Sequence, residues 1–391
     1  MRSALLVTAA LSLQGAAVAS VFQDLSQGFL DPYFSVSSNG SAICVSGLIA
    51  VPVNATNTKL LLAEPVNQTQ VTEIIQENFQ ASSTLSTTTD GGSLQINAVY
   101  NIDATLCVPA AAPSTSTIQV LTHGVGLDKS YWDIAADYSY VDAAASAGHA
   151  TLAYNRLGVG QSSHPDAIQV VQAPVDVSVL HGLTTLLRTG HVGSHAYATV
   201  IGTGHSYGSI VQLAQNVNFP SDVNATILTG FTTTFTYLPY TVFANNPAIA
   251  RQADPARFGN LSNGYLVTDT RISFQLPFFR SPYFDPKIFE LQFQARNTYT
   301  VGQQLTLSGI YAVASSYRGP VAVVAGEYDF AFGGGAVTES LLASTLETLY
   351  PEAAAGSTSY VVPNSGHVIN AHYSAQQQFS QINAFLECNG F

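Results

Sequence analysis

Three side chains far apart in the chain have the types needed for nucleophilic attack on a carbonyl: Ser206, His367 and Asp329. Ser206 lies in Thr203-Gly204-His205-Ser206-Tyr207-Gly208-Ser209, after the β-branched run 198–201 and before a helix-like stretch, 210–215. The spacing Gly-x-Ser-x-Gly puts a serine on a sharp turn from strand to helix. A side chain at Gly204 or Gly208 would collide where the two elements pack closest, and Ser206 would hold a strained backbone that exposes its hydroxyl at the end of the sheet. Five residues of this kind recur by chance; their place between a strand and a helix makes the pattern specific.

A serine hydroxyl attacks only when a base takes its proton and a carboxylate orients that base. On such a turn both follow the serine in the chain. Two histidines do, His367 and His372. His367, in Pro363-Asn364-Ser365-Gly366-His367, falls in a loop just past the last strand, where a base reaches the carboxyl edge of the sheet; His372 reads as the start of the final helix. The acid belongs after the preceding strand, and Gly326-Glu327-Tyr328-Asp329 supplies Asp329, with Glu327 as the competitor. The negative oxygen of a tetrahedral intermediate needs backbone donors. The N–H of Tyr207 is one, and that of Val125, in the turn His123-Gly124-Val125-Gly126, is the other. This chemistry requires no metal and no organic cofactor.

These residues need a sheet to gather them. From residue 116 the pattern alternates strand and helix: strands at 118–121, 150–154, 198–201, 225–229, 321–325 and 359–362, with helices between them, including 132–147, 337–349 and 372–386. That alternation predicts an α/β fold, a mostly parallel central sheet flanked by helices on both faces. Residues 20–115 lack it. Strand-like runs at 42–51 and 94–107, a short helix near 71–76 and a Ser/Thr-rich turn at 82–89 read as a β-rich N-terminal extension that adds antiparallel edge strands. Between about 232 and 313 the rhythm breaks into aromatics and prolines with no clean strand, an inserted cap within the 116–391 domain. Its aromatic residues, Phe235, Tyr237, Tyr240 and Phe243 in one cluster and Phe274, Phe278, Phe279, Tyr283, Phe284 and Phe289 in another, form either the cap's own core or the wall of an apolar substrate pocket.

Composition narrows the setting. With 9% charged and 47% hydrophobic residues a large core is readily buried, and a net charge of -12 argues against a nucleic-acid partner. Arg2, the apolar stretch 4–13 and Ala17-Val18-Ala19 read as an export signal over 1–19, and no later stretch is long and apolar enough to span a bilayer. The expected mature protein is soluble and secreted, and the sequons at Asn39, Asn54, Asn67, Asn224 and Asn260 fit a glycoprotein. Of three cysteines, Cys44 and Cys107 are the preferred pair because both lie in strand-like runs of one region; Cys388 could replace either.

The same residues resemble the α/β-hydrolase family from about residue 116 to the end. The resemblance lies in His123-Gly124, the Gly204–Gly208 turn, the Asp329 loop and Gly366-His367, and in Asn155-Arg156-Leu157-Gly158-Val159-Gly160-Gln161-Ser162, similar to the family's Asp-Arg-x-Gly-x-Gly-x-Ser turn. Asn155 stands where that turn carries Asp, a departure that touches a local structural hydrogen bond rather than the chemistry. The whole looks most similar to secreted fungal members with an N-terminal extension. The resemblance implies a serine hydrolase of the esterase or lipase kind, acting on a small-molecule or lipid-like ester through an acyl-enzyme. The alternatives on the same scaffold are acyl transfer, lactonisation, lyase chemistry or a catalytically silent binding role. Other motifs support bland readings: His191 and His195 lack the Glu of a zinc-protease helix, Gly158-Val159-Gly160 lacks the third glycine of a dinucleotide site, and His205 reads as a packing or pocket-wall residue.

Overall fold

The computed structural model describes residues 23–193 and 195–391; the expected export signal lies outside the described residues. A nine-stranded sheet runs β1 (Phe29–Val36), β2 (Ala42–Leu60), β3 (Asp90–Pro109), β5 (Ala150–Tyr154), β4 (Thr117–Thr122), β6 (Thr199–His205), β7 (Ala225–Thr229), β11 (Val321–Gly326), β12 (Thr358–Val362) in spatial order. The last six of these strands are mutually parallel, while β1, β2 and β3 are antiparallel to their neighbours. The first three strands thus join the same sheet as the rest. β2 and β3 form a long hairpin in which Cys44 directly opposes Cys107, and these two form the disulfide while Cys388 is free and exposed.

Both faces of β4, β5, β6, β7 and β11 are buried, so their residues alternate between two apolar layers rather than between core and water. Val120, Val200, Val323 and Ala325 face one layer; Leu121, Ile201, Ile227 and Val324 face the other. Helices Ala173–Arg188 and Tyr207–Asn218 cover the first layer, and Tyr140–Ser146 and Ala375–Cys388 the second. The first of these begins with Pro174 in its opening turn and ends before Gly190, whose φ of +70° favours a residue without Cβ. The helix expected over 132–147 is split: a 3₁₀ turn, Lys129–Trp132, is followed by an Asp133–Ser139 bridge, and Ser139 then caps the helix by accepting from the Asp142 N–H. The final helix starts at Ala375, beyond His372.

Between β7 and β11 the chain builds a cap of short helices around a small antiparallel sheet, β8 (Pro247–Ile249), β9 (Tyr265–Thr268) and β10 (Tyr299–Thr300), ordered β10-β9-β8. The sequence analysis expects no clean strand here; runs of three, four and two residues are too short to carry an alternating pattern. The β2–β3 hairpin also reaches the cap through the helix Gln68–Phe79 and the helical turn Leu85–Thr88. The Gln68 side chain donates to the Pro247 carbonyl and accepts from the Ile249 N–H, pairing with β8 as a strand would.

Candidate active site

Parallel pairing brings the ends of β4, β6, β11 and β12 to one edge of the sheet, and every candidate residue follows one of these ends. Thr122 pairs with Gly204 and Gly326 with Val362. The chain leaves β6 at His205 and turns at once: Ser206 has φ +56° and ψ -119°, a conformation costing about 1–3 kcal/mol that the surrounding packing must hold. The flanking glycines allow that packing. A Cβ at Gly204 would strike the Gly208 carbonyl, and one at Gly208 would strike that of Thr122.

From this turn the Ser206 Oγ lies 2.8 Å from His367 Nε2, and His367 Nδ1 lies 2.8 Å from Asp329 Oδ2. Asp329 is fully buried and His367 nearly so, while Ser206 is half-buried. The second carboxylate oxygen, Asp329 Oδ1, accepts from the Phe332 N–H at the start of the short helix Phe330–Gly333. With both oxygens engaged, the carboxylate has little freedom to turn away. The imidazole of His367 is held between the rings of Phe278 and Phe332, at 5.5 and 5.8 Å. The structure therefore unites Ser206, His367 and Asp329 in one row. Glu327 points elsewhere, accepting from the Asn364 N–H.

His372 does not begin the final helix but supports the loop that carries His367. Its Nε2 accepts from the N–H groups of Gly366 and Arg280, so Nδ1 carries the proton and donates to the Val368 carbonyl. Burial is the main reason its pKa falls to about 4, keeping that acceptor lone pair in place. His205, under Ser206, has its pKa pushed well below the ordinary value, chiefly by burial, and it stacks on Tyr131 at 4.5 Å.

Tyr207 and Val125 both line the cavity at Ser206. Tyr207 opens its helix, so no carbonyl one turn earlier can take its N–H. The carbonyl of Gly124 accepts from His123 Nδ1 and from Arg156 Nη2, at 2.9 and 3.4 Å. Because a trans peptide points its C=O and N–H in opposite directions, tying back this carbonyl fixes the direction of the Val125 N–H. Gly124 must be small: a Cβ there would sit 3.1 Å from that of Ser206.

Arg156 belongs to a buried cluster of which sequence reasoning recognised only the turn. Its guanidinium pairs with Asp176 at 3.1 Å and lies over the Tyr207 ring; Asp176 also accepts from the Tyr207 hydroxyl and from Gln303 Nε2. Burial pushes the Asp176 pKa up, and Arg156 opposes that. The expected departure at Asn155 is accommodated: Oδ1 accepts from the Lys129 N–H and Nδ2 donates to Asp103.

The family's sequence profile, described as "Alpha/beta hydrolase family", matches residues 119–381. The chain belongs to the alpha/beta hydrolase family. No curated protein matches this sequence. Among solved structures, a thermophilic esterase from Thermogutta terrifontis is similar with a TM-score of 0.51 and 12% identity, over 74% of this chain and 95% of that one. A monoacylglycerol lipase from Paleococcus ferrophilus is similar with a TM-score of 0.50 and 12% identity, over 70% of this chain and 95% of that one. At such identities the likeness is one of fold, and it agrees with the sheet described above.

One cavity adjoins the Ser206 turn, and a second adjoins the first. An inner one of about 50 Å³ is lined by Ser206, His367, Val125, Tyr207, Phe278 and Phe332 together with cap residues, among them Asn245, Tyr299 and Gln304. An outer one of about 400 Å³ is lined by Phe79, Phe235, Pro239, Leu305 and Tyr311 with a few small polar residues. Ile210, Leu238, Gln304 and Leu307 line both and form the partition. The cap aromatics divide between the two expected roles. Phe274, Phe279, Phe284 and Phe289 pack on one another, whereas Phe235 and Phe278 line the cavities. Phe79, Asn245 and Tyr299 are cavity residues that no local pattern marks: each lies in an ordinary amphipathic or irregular stretch.

Proposed function

We propose that this protein is a secreted serine hydrolase that cleaves carboxylic esters bearing an apolar arm. The observation that carries the reading is the continuous hydrogen-bonded row Ser206–His367–Asp329, with both links at 2.8 Å. Ser206 Oγ attacks the carbonyl while His367 Nε2 takes its proton. Asp329 keeps Nδ1 protonated and stabilises the imidazolium, and the N–H groups of Tyr207 and Val125 receive the oxyanion. His367 then returns the proton to the leaving alcohol, and a water activated by the same imidazole releases the acid from Ser206. The outer cavity is the place for the apolar arm, since its rings and aliphatic side chains reward burial of a chain. Secretion is consistent with the Cys44–Cys107 disulfide and with five exposed sequon asparagines.

Labelling with a fluorophosphonate probe tests the nucleophile. The full-length mature chain is expected to label, and Ser206→Ala to lose labelling together with at least about 10⁴-fold of its rate on nitrophenyl esters. A folded wild type that neither labels nor turns over any ester would refute the proposal.

A further inference from the structure

The inner cavity contains polar groups that the ester-cleaving scheme leaves unused. Asn245, at the end of the helix Leu238–Asn245, is 4% exposed, and its amide oxygen is buried. Its side chain has no hydrogen-bond partner among the described residues. Tyr299, on β10, is 1% exposed and lines the same cavity, and its hydroxyl likewise has no partner among the described residues. The small cap sheet brings the two together from opposite ends of the cap: β8 begins directly after Asn246, and β10 pairs through β9. An apolar residue at either place would bury itself without cost, whereas the buried, unpaired amide oxygen of Asn245 lowers stability. The cost is recovered when a ligand supplies the missing partner.

The chemistry of that partner follows from the rest of the wall. Among the described residues no Asp, Glu, Lys or Arg lines the inner cavity, so a charged group would enter without a counter-charge from them. An amide and a phenol each donate and accept, and a neutral hydroxyl complements both. The inner cavity, about 50 Å³, has room for a short arm of the ester, while the outer one, about 400 Å³, takes the long apolar arm. We infer that the preferred substrate is an ester whose short arm carries a neutral hydroxyl, recognised by Asn245 and Tyr299. This rests on the ester-hydrolase reading for the role of the cavity, but not for its binding properties.

Two matched pairs separate the arms: octyl butanoate against octyl 3-hydroxybutanoate, with the hydroxyl on the acid, and propyl octanoate against 2-hydroxypropyl octanoate, with it on the alcohol. Their affinities for the full-length mature Ser206→Ala chain, which cannot turn them over by this route, are read by calorimetry. The hydroxylated member of one pair is expected to bind at least about tenfold more tightly. Adding Asn245→Leu, or Tyr299→Phe, should bring that ratio near one with little change for the unsubstituted ester. Equal affinities within each pair, or no measurable binding of either hydroxylated ester, overturn the inference. So does a preference that survives Asn245→Leu or, should that variant not fold, Tyr299→Phe. Wild-type turnover of the same four esters distinguishes the two readings. Turnover of all four with equal affinities within each pair keeps the hydrolase and removes the hydroxyl site; selective binding without turnover does the reverse.

Discussion

Asp329 does two jobs with two oxygens, and the proposed chemistry depends on only one of them. Oδ1 caps a short helix, and Oδ2 faces His367 Nδ1. Asp329→Asn should keep the cap, because its carbonyl oxygen can replace Oδ1, while its amide would present donors to the imidazole and stabilise the tautomer with Nε2 protonated. That tautomer cannot accept from Ser206. The expected outcome is a fall in kcat of about 10⁴-fold with KM little changed, measured on a nitrophenyl ester, and an unfolding midpoint close to that of wild type. A loss confined to KM would mean that Asp329 serves substrate binding instead. The row is legible in the sequence because each member sits in a local turn whose chemistry is specific. Asn245 and Tyr299 are not legible there: an asparagine ending a helix and a tyrosine in a two-residue strand have ordinary local explanations, and only the walls around them make their unpaired groups unusual.

Strand ends and the loops beyond them decide where the imidazole stands. The loop after β12 is pinned by His372, whose unprotonated Nε2 accepts two backbone N–H groups. Protonating that nitrogen replaces an acceptor with a donor facing two donors. The folded pKa of about 4 lies below the ordinary value of 6.5, so between those values the unfolded chain binds more protons. Stability is therefore full above about pH 6.5, falls as pH drops towards 4, and loses nothing further to this group below that. The share from His372 is about 3 kcal/mol. Urea unfolding across a pH series should show this slope, and His372→Gln should flatten it while slowing ester turnover at neutral pH through a loosened His367 loop. A slope unchanged in that variant would assign the acid sensitivity to other groups. The sequence analysis places His372 at the start of the final helix because an apolar-periodic stretch follows it. The helix begins three residues later because His372 is engaged in tertiary bonds that the helical conformation would break.

At the scale of the molecule, the cap and the N-terminal hairpin meet over the sheet edge and enclose the outer cavity between them. Phe79, from the hairpin's helix, faces Phe235, Leu305 and Tyr311 across that space. Phe79→Trp should narrow the outer cavity without touching Ser206, His367 or Asp329. On nitrophenyl esters of increasing chain length, kcat/KM for acetate is expected to stay within about twofold, while the optimum moves to a shorter chain and the longest esters lose about tenfold. An unchanged chain-length profile would mean that the apolar arm lies elsewhere. The disulfide acts on the same hairpin: its two half-cystines are 63 residues apart in the chain, and the helix that bears Phe79 lies between them.

The sequence by itself determined the α/β alternation, the strained serine turn and its glycines, the chain order of Ser206, Asp329 and His367 at successive strand ends, and the presence of the inserted cap. Each of these is written in spacings of a few residues, within reach of local sterics and of periodic burial. Only the tertiary structure decided that a hairpin from the N-terminal region walls the outer cavity, that His372 props the loop of His367, and that an amide and a phenol without partners among the described residues line the cavity at Ser206. Those facts depend on which surfaces meet when distant segments pack, and burial converts ordinary polar groups into costly or useful ones only after they have met.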